Sequence, residues 1–346
     1  MIEHSKIISF IDHLISQIRI EKTSLETKYY KIGDRLLKAD FASFKWRNKF
    51  TDALTHLESS EEIGQSTFNL LVIDKEDAGI NLPEPFWEWD QIDKNNGNIL
   101  NLDPGYYAHC DVHVGDFTLV DLNNNFGIYW VNNASKLPEW RSSFPFRNIF
   151  YQWFKSSNKI LCHAGAVGID QDNGILITGK GGSGKSTSCL ACLENNFLYG
   201  GDDFVMIDIE NFIVYSLYNV AKLEVNNFKN FPDLIPHICN KEKLAVEKGQ
   251  IFINKIYPHK VVHKMKLKAI LLPKVTGLDY SIIKPAGKID AIKALAPSSM
   301  WILSSDSSHI SKMSLLINGL PCYWLESGSK IEEIGPTIKK FIRTLN

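Results

Sequence analysis

The sequence predicts an α/β protein in two parts: a smaller α+β domain over residues 1–150, and over 151–346 a P-loop domain with a mixed sheet. Three observations carry the prediction. Residues 179–186 read GKGGSGKS and satisfy G-x-x-x-x-G-K-[ST] at every specified position. The run ILIT at 175–178 leads straight into the glycines, and SGKSTSCLACLEN has the look of a helix that begins where they end. Upstream, the apolar runs AGAVGI and ILIT flank the turn-rich DQDNG, which predicts a β-hairpin and therefore an antiparallel neighbour for the strand feeding the loop. A plain doubly wound fold has parallel strands there, hence the mixed sheet.

At 346 residues the chain is long enough for two cores. A formal net charge of −1 gives no overall field to attract nucleic acid or an anionic membrane. Locally, residues 255–293 hold nine Lys against two Asp, and residues 58–93 are acidic; such runs read as solvated faces or as a cationic rim for phosphate or an acidic peptide. Six scattered cysteines in a chain of this size are not a disulfide framework, and Cys189 and Cys192, spaced C-x-x-C with no second pair nearby, read as core packing on a helix. The N-terminus shows neither a cleavage site nor an uninterrupted apolar span, so the expected location is the cytoplasm.

Taken in order, residues 1–20 have the apolar rhythm of an amphipathic helix. Strand patterns follow in YYKIGDRLLKADF, TFNLLVID, YAHCDVHVGDFTLVD and FGIYWV, interrupted by a helix across SFKWRNKFTDALTHL at 43–57. Phe86, Trp87 and Trp89 in NLPEPFWEWD either plug the core or line a groove for a peptide. A connecting helix over LPEWRSSFPFRNIFYQWFKSSN puts Phe150, Trp153 and Phe154 on one face. Short β and α elements then lead to a final helix at SKIEEIGPTIKKFIRTL, with Pro336 early in it or kinking it.

The loop chemistry needs these residue types. Glycines let successive backbone N–H groups turn toward phosphate oxygens, and the following helix adds its N-terminal dipole. Lys185 supplies a cation for the β and γ phosphates and Ser186 a hydroxyl for Mg²⁺. The nucleotide set is Gly179, Lys180, Gly181, Gly182, Ser183, Gly184, Lys185, Ser186 and Thr187, and the ligand ATP or GTP. If Ile169 faces Gly174 across the hairpin turn, His163 falls opposite Lys180, beside the mouth of the loop.

Phosphoryl transfer to a hydroxyl also needs a carboxylate near the γ phosphate, to hold metal or to take the proton. Asp208 ends the apolar run FVMID in the manner of a Walker B acid, whereas Asp202 and Asp203 follow FLYGG. Adjacent carboxylates repel unless a cation or proton resolves them, which a Mg-nucleotide would do. That argument favours Asp202-Asp203, against the plain reading of Gly-Gly-Asp-Asp as a turn.

In that order and spacing, His163, the hairpin, the loop and Asp202-Asp203 resemble the C-terminal catalytic domain of HPr kinase/phosphorylase, a bacterial protein-serine kinase sharing its fold with ATP-dependent phosphoenolpyruvate carboxykinase. The resemblance is close over 160–208, looser beyond, and absent from 1–150. It implies Asp203 as proton acceptor, His163 as catalytic histidine, Asp202 and Ser186 at the metal, Glu224 in KLEV as a second metal ligand, and Lys264 or Lys266 as a further cation. It also implies ATP and Mg²⁺, an acceptor serine, and assembly through this domain. The chain departs at Thr187, where the family has Glu, and at NNFKNFPD, where it has a glycine-rich signature. These departures shift the resemblance toward HPr-kinase-related proteins, among them kinases of lasso peptide precursors. The expected function is transfer of a γ-phosphate to a serine of a peptide or protein, with the 1–150 domain helping to hold the acceptor. A small-molecule kinase and a nucleotide-gated regulatory module are the alternatives; a carboxykinase is disfavoured because only Arg343 follows Arg147.

Overall fold

The computed structural model describes residues 1–42, 45–60, 67–303 and 307–345. The chain divides into two compact units, Met1–Asp52 with Leu57–Ser156, and Ala53–His56 with Ser157–Asn346.

In the first unit the apolar rhythm of the N-terminus forms α1 (His4–Ile20), burying Ile7, Phe10, Ile11, Leu14 and Ile18. Six strands, β1 (Glu26–Ile32), β2 (Arg35–Phe41), β3 (Phe68–Asp74), β4 (Tyr106–Asp111), β5 (Asp116–Asp121) and β6 (Phe126–Val131), form one sheet in the order β1-β2-β3-β6-β5-β4. β3 runs parallel to β2 and β6, and the remaining pairs are antiparallel. Phe86 and Trp87 are buried, Trp87 stacking on Phe117 with centroids 5.1 Å apart, so these two rings plug the core; Trp89 stays 73% exposed.

Two helices expected in this region are shorter than predicted. The one across 43–57 reduces to α2 (Asn48–Thr51) and a 3₁₀ stretch, with Ser43 and Phe44 outside the described residues. Tertiary bonding overrides propensity here: Ala53–His56 belong to the second unit, where the Asn219 amide N–H donates to the Ala53 carbonyl (3.0 Å) and His56 Nε2 lies 2.7 Å from Ser216 Oγ. After a single turn, α3 (Lys75–Ala78), the expected connecting helix splits into α4 (Glu139–Ser143) and α5 (Arg147–Phe154), because Phe146 adopts φ 59° between them. Phe150, Trp153 and Phe154 are buried on α5, which packs on β5 and keeps the chain in the first unit up to Ser156.

The second unit contains β7 (Lys159–Cys162), β8 (Ala164–Gly168), β9 (Gly174–Thr178), α6 (Lys185–Glu194), β10 (Leu198–Gly201), β11 (Val205–Asp208), β12 (Ile213–Ser216), β13 (Val220–Leu223), β14 (Gly249–Phe252), α7 (Ile253–Ile256), β15 (Lys264–Val275), β16 (Ile282–Pro285), α8 (Lys288–Leu303), α9 (Ser307–Gly319), β17 (Cys322–Ser327) and α10 (Ile334–Ile342). Pro336 sits in the first turn of α10, where its missing N–H costs little. Nine strands make one mixed sheet along the path β10-β8-β9-β15-β12-β11-β7, with β17 on β15 and β16 on β17. β13 and β14 form a separate ribbon. Alternate residues of β9 feed two cores: Ile175 and Ile177 pack with α6 and α10, Leu176 with α8 and α9. Each such fully buried side chain contributes about 1.5–3 kcal/mol of transfer free energy. Cys189 and Cys192 are buried in the α6 core, and all six cysteines are free thiols. Among the described residues no helix is long and apolar enough to cross a membrane.

Candidate functional site

Strand direction assembles the site. β8 is antiparallel to both β9 and β10, so the start of β8 lies at the same sheet edge as the ends of β9 and β10. His163 precedes β8, the glycine-rich loop 179–184 follows β9, and Asp202-Asp203 follow β10. The three segments therefore meet whatever their separation in sequence.

The glycine-rich loop 179–184 is open and curled at the start of a helix. Gly182 and Gly184 have φ of 79° and 99°, which lets the backbone curl toward a ligand, and α6 begins at Lys185. A Cβ added to Gly181 or Gly182 would meet nothing within 4 Å, so the hollow of the cradle is open. At Gly179 the reverse holds: an added Cβ would lie 2.5 Å from Ser183 Oγ. Lys180 is exposed on the rim, while Ser186 and Thr187 are half-buried on the first turn of α6.

Beside the cradle the paired ladders break. β7 pairs with β11 as far as Cys162 opposite Val205, and β8 pairs with β10 from Ala166 opposite Gly201. Between these pairs residues 163–165 stand against residues 202–204, three against three, and the register shift of the β8–β10 ladder lies one step earlier, between Tyr199 and Gly201. Asp203 takes φ 67°, a conformation that is strained for a residue bearing a Cβ. The His163 N–H donates to Ser299 Oγ of α8 at 3.0 Å. The outcome is a triangle: His163 Nε2 is 3.2 Å from Asp203 Oδ1, Lys185 Nζ is 3.3 Å from the same oxygen, and Lys185 Nζ is 3.3 Å from His163 Nε2.

The hairpin register corrects the expected one. Gly168, not Ile169, faces Gly174, and Ala164 faces Thr178, so His163 does not stand opposite Lys180. Every residue of β8 and β9 is buried, so no alternation of polar and apolar residues fixes the register in the sequence. His163 reaches the lysine of the helix instead of the lysine of the rim.

Electrostatics separates the two acids. Burial works against the charge of Asp203, but the His163 hydrogen bond and then the Lys185 charge prevail and hold its carboxyl well below the ordinary range; His163 and Lys222 of β13 add to this. Burial, and next the Asp203 charge, push Asp202 up to about 6, against the pull of Lys185 and of the nearby Ser186 hydroxyl. Asp202 Oδ1 accepts the Asp203 N–H at 2.9 Å, whereas its buried Oδ2 has no hydrogen-bond partner. A carboxylate oxygen left bare beside a serine hydroxyl at the mouth of an anion cradle suits a Mg²⁺ ion: Ser186 and Asp202 fit the group that the loop implies.

Glu224 is largely exposed and pairs with Lys248 at 3.1 Å, and among the described residues no three His, Cys, Asp or Glu side chains form a ready metal cluster. Lys264 and Lys266 are both exposed on β15 opposite Tyr215 and Ile213 of β12. Asp208 is consumed by structure, accepting from the amides of Glu210 and Asn211 and from the side chains of Asn158 and Asn211, all at 3.0–3.1 Å. Lys222 and Ser299 escape sequence reasoning. Lys222 is signalled weakly as the one charged residue in an apolar strand, and Ser299, 136 positions from His163, by nothing local.

No family model matches the chain, and no curated protein matches it in sequence. Among solved structures it is similar to the HPr(Ser) kinase/phosphatase from Coxiella burnetii at 14% identity and a TM-score of 0.30, over 53% of this chain and 97% of that one, a likeness too slight to decide fold or function.

Proposed function

We propose that this chain is a Mg-ATP-dependent kinase that transfers the γ-phosphate to a serine hydroxyl of a peptide or protein, a ribosomally made precursor such as a lasso peptide being one such acceptor. The observation that carries the reading is the contact of Lys185, His163 and Asp203 at the open cradle. A lysine that follows such a loop binds phosphate, and a carboxylate within 3.3 Å of it lies where an attacking hydroxyl must lose its proton.

The loop amides and the α6 N-terminus hold the phosphates. Lys185, paired with Asp203 when no nucleotide is present, turns to the β and γ oxygens and frees the carboxylate. Asp203 accepts the serine proton as the serine oxygen bonds to the γ phosphorus and the bond to the bridging β–γ oxygen breaks. His163, hydrogen-bonded to Asp203, keeps that carboxylate aimed. Ser186 and Asp202 would hold Mg²⁺, which when bound neutralises phosphate charge. Acceptor recognition is assigned to the first unit, where Trp89 lines a cavity of about 520 Å³ together with Asp93, His109 and Asp111.

Mass spectrometry of candidate peptides and lysate incubated with the protein, Mg²⁺ and ATP tests the proposal. A phosphate-sized gain on serine is expected. ATP turnover without a labelled product, or no turnover, overturns it.

A further inference from the structure

We infer that the loop 275–281, beyond the end of β15, is the subsite for the nucleotide's purine base, with Tyr280 as the stacking ring. This rests on the nucleotide-binding part of the function proposed above. β9, β15 and β17 are parallel neighbours, so their C-terminal ends share one edge, where ligands of such sheets bind. The P-loop follows β9, in the middle of the order β10-β8-β9-β15-β17. On its β8 and β10 side stand His163 and Asp203, which mark the γ-phosphate end. The nucleoside must leave on the β15 side.

The loop is in contact on that side. An added Cβ at Gly179 would lie 3.7 Å from Pro273 Cδ, and one at Gly184 would lie 3.5 Å from Val275 Cγ2. From there the chain presents large apolar side chains to solvent: Val275 is 64% exposed, Leu278 40% and Tyr280 56%. Exposed apolar groups grouped beside a polar cradle are unfavourable in water unless a ligand covers them.

The platform is braced. Thr276 N–H donates to Ser327 O at 2.9 Å, Ser329 N–H to Leu278 O at 2.8 Å, and Gly328 N–H to Ser281 Oγ at 3.1 Å. Gly328 packs so tightly that an added Cβ would meet the Tyr280 carbonyl oxygen at 2.5 Å. The segment is thus pinned to the chain that follows β17, and the tyrosine backbone is fixed where a base can stack on its ring. Stacking alone does not discriminate adenine from guanine, so either purine is accommodated.

Calorimetric titration of the full chain in Mg²⁺ with ATP, GTP and inorganic triphosphate tests the assignment. Tyr280→Ala is expected to weaken ATP and GTP about ten-fold, within the range for loss of one base–aromatic stack. Inorganic triphosphate should bind that variant as it binds the wild type, and Tyr280→Phe should retain affinity for all three. Unchanged ATP affinity in Tyr280→Ala, or an equal loss for triphosphate, overturns the assignment. A wild type that holds triphosphate as tightly as ATP also overturns it while leaving the phosphate loop intact; a wild type that binds neither removes both.

Discussion

Each unit holds a cluster of acids among its described residues, and the two clusters are resolved differently. In the first unit Asp116 accepts the Tyr129 hydroxyl at 2.8 Å and lies 2.9 Å from Arg141 Nε, while Arg141 also reaches Asp111 at 2.8 Å. Each acid here has a cation or hydroxyl beside it, although Arg141 Nε itself makes no hydrogen bond. In the second unit Asp202 and Asp203 are neighbours in sequence, Asp203 is strained, Asp202 Oδ2 is bare, and the cation that approaches Asp203 is Lys185, the first residue of α6 after the glycine-rich loop. A closed cluster contributes to the fold; an open one is complete only with a ligand. β11 repeats the lesson along its length, with the open pair before its first residue and Asp208, fully bonded, at its last.

Lys185→Ala should give the largest effect, about a hundred-fold weaker ATP binding by calorimetry, because it removes the cradle's cation. Wild-type affinity would place the open cluster outside the nucleotide site. Asp116→Ala should cost about 3 kcal/mol in urea unfolding, the loss expected on breaking a buried pair, and leave ATP affinity unaltered. Asp208→Ala should cost about 1 kcal/mol and leave phosphate transfer unchanged; abolished transfer would restore Asp208 as the Walker B acid.

The smallest effect is one of pH. Asp202 is pushed up to about 6 in the folded protein from an ordinary value of 3.8. Between these values the folded chain binds the proton and the unfolded chain does not, so its contribution is full below about 4 and is lost as pH rises through 6. Asp203 shifts the opposite way and acts below that window. Nucleotide-free wild type should therefore lose stability relative to Asp202→Asn between about pH 4 and pH 7. His56, pushed down to about 3 by burial and His263, titrates across the same range in both proteins and cancels in the difference. A flat difference would mean that the pair is already resolved.

What the sequence discloses follows from how local the cause is. The P-loop, the hairpin and the helix after it are legible because glycine spacing, β-branched runs and turn residues act within a few positions. The approach of His163 to the glycine-rich loop is legible through strand direction, but the register is off by one in strands buried on both faces, and the lysine that it meets is Lys185 and not Lys180. The pairing of Glu224 with Lys248 is not legible, because a four-residue match says nothing of the partner that a distant segment supplies. Ser299, Lys222 and the placement of Ala53–His56 are set by contacts between distant segments, which no periodicity encodes. The exposed apolar loop at 275–281 acquires meaning only once β15 lies beside β9.

The most direct measurement compares wild type with Asp203→Asn for ATP affinity and for transfer to a peptide that the wild type phosphorylates. With Asp203 as proton acceptor, affinity holds or tightens, since Lys185 no longer has to leave an ion pair, and transfer falls by about three orders of magnitude. Transfer near the wild-type rate would contradict the assignment of the ladder break as the site of phosphoryl transfer.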